Sequence, residues 1–80
     1  IDKVNFINLP ADILGRIWIY NLDGELIFES KVGPYNVDDL MPYFSWECNN
    51  NSGKRVSSGI YFYLLRMGKD SRKGKIIIIN

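Results

Sequence analysis

Apolar and polar residues alternate with a period of two along most of this chain, and no stretch sustains the 3.6-residue period of an amphipathic helix. Arg16-Ile-Trp-Ile-Tyr alternates most cleanly, so Ile17 and Ile19 belong to a core face while Arg16, Trp18 and Tyr20 take the other side. Asn21-Leu-Asp-Gly follows with residues that tolerate left-handed backbone. It predicts a hairpin turn into a return strand over residues 25–32, with Leu26 and Phe28 opposite Glu25, Ile27 and Glu29. Upstream, residues 3–9 form a looser strand with Val4 and Phe6 on one face. It stops before Pro10, which has no amide hydrogen to give a ladder.

Gly33-Pro34 interrupts the pattern, and residues 35–42 show neither period, which fits a crossover between two sheets. Residues 43–46 resume as a short strand ending at Trp46, placed to plug the core. Residues 49–54 form a turn, and Val56 sits in a brief strand of its own. Residues 60–67 are the longest β run and are apolar on both faces, as a central strand covered on both sides requires. Gly68-Lys-Asp then turns into a closing strand over residues 73–79. About seven short strands separated by turn signals predict an all-β fold, an immunoglobulin-like antiparallel β-sandwich, with residues 1–80 as a single domain.

Composition agrees with a folded core: 46% of the 80 residues are hydrophobic, well above the level of disordered chains. The single cysteine, Cys48, excludes an internal disulfide. No apolar run approaches the roughly 20 residues of a membrane-spanning helix, so no membrane insertion is expected. A start at Ile1, without initiator methionine or signal peptide, reads as a segment of a longer protein. The net charge of +1 hides an asymmetry. Residues 1–48 carry three basic and eight acidic side chains, whereas residues 49–80 carry seven basic and one acidic. The basic half is too short and too poor in stacking groups to predict a nucleic-acid partner.

Histidine is absent, which removes every Ser-His or Cys-His nucleophile pair and the commonest general base. The carboxylates sit in turns or alternate along strands. The expectation is no enzyme, no catalytic residues and no cofactor. Asn21, Asp23 and Glu25, with Asp38 and Asp39, raise a calcium loop as an alternative, but hairpin chemistry accounts for the first three more simply, and no metal site is assigned. Trp18 and Tyr20 are candidates for stacking on a glycan or a partner; packing beneath the crossover is the favoured alternative. Lys69, Arg72, Lys73 and Lys75 form a basic cluster that guards the four isoleucines after it against edge pairing. Lys73 and Lys75 are also candidates for contact with a sorting receptor.

Taken in order, Val4-Asn-Phe-Ile-Asn-Leu-Pro, Ile17-Trp-Ile-Tyr-Asn-Leu-Asp-Gly-Glu-Leu, Phe44-Ser-Trp, Asn51-Ser-Gly-Lys-Arg-Val-Ser-Ser-Gly-Ile-Tyr-Phe-Tyr and Lys73-Gly-Lys-Ile cover nearly the whole chain. This set resembles the immunoglobulin-like module shared by the flagellar hook-capping protein and the C-terminal sorting domains of type IX secretion cargo. Cys48 stands where that family usually has glycine. The resemblance implies a C-terminal accessory module of a secreted or surface bacterial protein, located outside the cell or on its surface. It would act as secretion-sorting signal or structural spacer, with a neighbouring domain and the secretion machinery as partners. A carbohydrate-binding module and a hook-cap assembly scaffold are the alternatives. The resemblance also implies that Tyr61, Tyr63 and Leu65 face inward, joining Ile17, Ile19 and Trp46 in the core, and a buried Tyr61 would need an acceptor for its hydroxyl.

Overall fold

The alternating segments become strands, and turn chemistry decides where they stop. The computed structural model describes residues 3–80 and, among them, six strands and no helix. These are β1 (Val4–Phe6), β2 (Gly15–Asn21), β3 (Leu26–Val32), β4 (Phe44–Trp46), β5 (Gly59–Met67) and β6 (Asp70–Ile78). β1 and β4 form a two-stranded sheet, and the other four form a sheet in the order β3-β2-β5-β6; all pairings are antiparallel. The fold is thus an all-β antiparallel sandwich.

It has six strands rather than about seven. The difference is the Val56 segment, which makes a single bridge between Asn49 and Arg55 and a bond from Val56 N–H to the Cys48 carbonyl (2.9 Å). Asn50 prevents a longer ladder. Its Oδ1 accepts from the amides of Ser52 (2.9 Å) and Lys54 (3.0 Å), curling this stretch into a tight turn.

Alternation in β2 buries Ile17 and Ile19 completely, and the paired positions of β5 put Tyr61, Leu65 and Met67 on the same inner face, with Tyr63 partly buried. The small sheet closes over them with aromatic rings. Phe6 meets Tyr63 edge-on at 4.9 Å between centroids, and Trp46 lies 6.1 Å from both Phe28 and Tyr61. Each such pair adds about 0.5–1.5 kcal/mol beyond its area, and each fully buried large aliphatic side chain about 1.5–3 kcal/mol. Trp46 sends its indole Nε1–H to the Asn49 carbonyl (2.8 Å), so the plug is anchored at both ends of its ring system. Among the described residues no polar or charged side chain is buried.

Several sequence expectations need correction. The first strand covers Val4–Phe6 rather than residues 3–9, because Asn8 takes φ 56° and turns the chain away before Pro10. The return strand is not a simple alternation either: an extra residue, Ile27, between the Ile19–Phe28 and Tyr20–Leu26 pairs shifts the register. Leu26 therefore leaves the Phe28 face and stands exposed. β5 is central in hydrogen bonding but covered on one face only. Ile60 and Phe62 are 37% and 40% exposed. β6 begins at Asp70, three residues before the expected start, because a tight turn continues the β5 ladder directly.

Candidate functional site

Because every second residue of the four-stranded sheet points away from the core, its outer face can be read row by row from the register. Trp18 stands between Glu29 and Leu64, and Leu64 in turn faces Lys73. In the next row Tyr20 faces Phe62, and Phe62 faces Lys75. Two sets of residues that are distant in sequence, Trp18 with Tyr20 and Lys73 with Lys75, thus share one surface. Tyr20, Phe62, Leu64, Lys73 and Lys75 line an open groove of about 640 Å³, floored by backbone at Tyr63 and Gly74. Trp18 lies in the row beside it.

Charge on this face is uneven. On the β3 side Arg16 pairs with Glu29 (3.0 Å), with both side chains more than a third exposed, so the pair is worth well under about 1 kcal/mol but leaves little net field. On the β6 side Lys73 and Lys75 have no acidic partner among the described residues; Asp70 stands at inner-face parity and pairs with Arg72 (3.2 Å). The groove therefore has an apolar, aromatic wall and a cationic rim.

Arg72 itself does not belong to that rim. Its guanidinium crosses to the other sheet and donates to the carbonyls of Ile7 and Asn8, both at 2.7 Å. Its expected part in an edge-guarding basic cluster is corrected accordingly. The crossover does not roof Trp18 and Tyr20 in its hydrogen bonding; its backbone is tied instead to the segment after β1, through Leu9 N–H to Pro42 O (3.2 Å) and Asp12 N–H to Tyr35 O (2.8 Å). Burial there pushes the Tyr35 phenol above its usual value, partly offset by a backbone hydrogen bond with Gly33.

Of the five calcium-loop candidates, Asn21 and Glu25 are used by the turn, and among the described residues no three acidic side chains converge as a metal site would require. Asn21 Nδ2 donates to Glu25 Oε1 and Asn21 Oδ1 accepts from Glu25 N–H, both at 2.9 Å, so these oxygens close the hairpin. Asp39 is similarly spent, accepting from the Asn36 amide (3.1 Å).

Three consecutive asparagines carry roles that spacing alone did not reveal. The Asn49 carbonyl holds Trp46 and the Asn50 side chain shapes the turn. Asn51 reaches the outer edge of β3, where its Oδ1 accepts from Glu29 N–H (2.9 Å) and its Nδ2 donates to Glu29 C=O (3.0 Å). A run of side chains that imitate backbone amides, set in a turn, was the available signal. Cys48, buried beside this turn, adopts φ 60°, the left-handed conformation that glycine reaches without strain.

Fold and surface together define a β-sandwich with one apolar, cation-rimmed outer face. No protein-family model, no curated protein and no solved structure matches the chain.

Proposed function

We propose that the chain is a non-catalytic accessory domain of a larger secreted or surface bacterial protein, working as a docking module that marks its parent for export. One observation carries this reading: the half-buried aromatic pair Trp18 and Tyr20 and the exposed lysines Lys73 and Lys75 occupy adjoining rows of a single outer sheet face. A surface of this composition suits recognition, since amphipathic rings bury area at low entropic cost while unpaired cations steer an anionic partner. Three of the nine carboxylates are held in pairs, Glu29 with Arg16, Glu25 with Asn21 and Asp70 with Arg72. The ordered sequence resemblance to sorting and hook-capping modules supports the same class.

Replacing Lys73 and Lys75 with alanine in the full-length protein tests the export role. Secretion is expected to fall severalfold while the domain keeps its circular dichroism spectrum. Unchanged secretion by the folded variant would leave only the spacer role, in which the sandwich braces its neighbour. A second reading, glycan binding, draws on the groove between Tyr20 and Phe62. Affinity electrophoresis in gels containing polysaccharide separates the two, because stacking on sugar slows migration and a protein-docking module is not slowed.

A further inference from the structure

The two borders of the large sheet are treated differently. β3, one border, is closed at its middle: Asn51 gives Glu29 both hydrogen bonds that a neighbouring strand residue would exchange with it, and Asn51 N–H adds a bond to Ile27 O (3.3 Å). β6, the other border, spans nine residues, about 30 Å of backbone. It is laddered to β5 along its whole length, and among the described residues nothing else bonds to its backbone between Asp70 and Ile78. An extended border of that length is a template for strand addition.

We propose that the β6 border accepts an extended acidic peptide as an added strand, with carboxylates at alternate positions. The inference rests on the docking-module reading and specifies its mode and partner. Charge selects the occupant. Lys73 and Lys75 both stand on the outer face two residues apart, so a strand laid along β6 with Glu or Asp at positions i and i+2 sets a carboxylate beside each ammonium. Between them Gly74 presents no side chain and is covered on the inner face by the Tyr63 phenol, so the intervening partner residue meets the edge of an aromatic ring and its hydroxyl.

A second copy of the chain is a poor occupant by the same rule. Antiparallel pairing of two β6 strands about Gly74 brings Lys73 opposite Lys75, like charge against like, while β3 of another copy offers the border that Asn51 already holds. Both self-pairing routes are opposed where an acidic guest is favoured.

The test titrates the 80-residue chain with a capped peptide, Thr-Val-Glu-Val-Glu-Val-Thr, and with its counterpart carrying Lys for Glu, following amide hydrogen exchange by NMR. The acidic peptide is expected to protect alternate β6 amides about tenfold or more, with the basic peptide leaving them unchanged. Lys73→Glu with Lys75→Glu should reverse that preference, and Lys73→Gln with Lys75→Gln should fall between, which separates charge pairing from loss of fold. Protection confined to β3 or no protection of β6 overturns strand addition, and equal protection of β6 by both peptides overturns the acidic occupant. Shifts in the Trp18 and Tyr20 resonances without β6 protection also overturn it, and leave the docking face standing. Loss of secretion in the alanine variant is an independent readout of the broader reading.

Discussion

Tyr61 shows how one hydroxyl disciplines a turn. Its ring is packed edge-on against Trp46 while its OH donates to the Ser57 carbonyl at 2.7 Å, four residues upstream, pinning the approach to β5. Tyr61→Phe keeps the packing and loses that bond, so the urea midpoint should drop by the equivalent of about 1 kcal/mol. Tyr35 makes a pH-dependent counterpart. Burial raises its folded pKa above that of the unfolded phenol, so its stabilising effect is complete below about pH 10 and is lost as pH rises through the raised value, where unfolding releases the proton. The alkaline limb of a thermal stability profile should flatten in Tyr35→Phe. Individual core residues such as Ile17 and Ile19 were legible because alternation leaves only two faces to choose between. The hydroxyl's acceptor was legible as a need, but which carbonyl met it depends on a turn whose shape alternation does not describe.

Within the strands, Gly74 and Tyr63 form one unit. A Cβ on Gly74 would come within 2.9 Å of the Tyr63 ring, which lies across the strand where a side chain would otherwise stand. Gly74→Ala should therefore displace the ring and cost about 1–3 kcal/mol by thermal or denaturant unfolding. In a Tyr63→Ala background the same change should cost much less, a coupling that a double-mutant cycle measures directly. The β2–β3 hairpin was readable from Asn21-Leu-Asp-Gly, whose turn is closed by Asn21 and Glu25. The extra Ile27 was not, since one added residue leaves composition and approximate period intact while reversing the parity of everything before it in β3. Val56 looked like a strand because it is apolar and isolated; it is buried as a hook beneath the turn and needs no ladder.

Across the whole molecule, Arg72 joins the two sheets. Its guanidinium spans from the large sheet to the carbonyls of Ile7 and Asn8 at the end of β1, a contact between residues 65 and 64 positions apart. Arg72→Gln should destabilise the fold by roughly 1 kcal/mol and, more diagnostically, speed hydrogen exchange in β1 more than in β2, because the small sheet has few ties of its own. Sequence read this arginine as one of a charged group, and nothing local distinguishes it from Lys73; only the folded arrangement sends one inward to carbonyls and leaves the other on the outer face. The shared surface of Trp18, Tyr20, Lys73 and Lys75 was hidden for a related reason. Each pair could be singled out alone, but their meeting depends on β5 lying between β2 and β6, which is a matter of sheet order.

That order, with Asn51 fastened to one flank, also limits what this molecule can build. Two copies of the chain therefore cannot link flank to flank by joining β6 of one to the middle of β3 of the next, because the seat at Glu29 is already taken from within the same molecule.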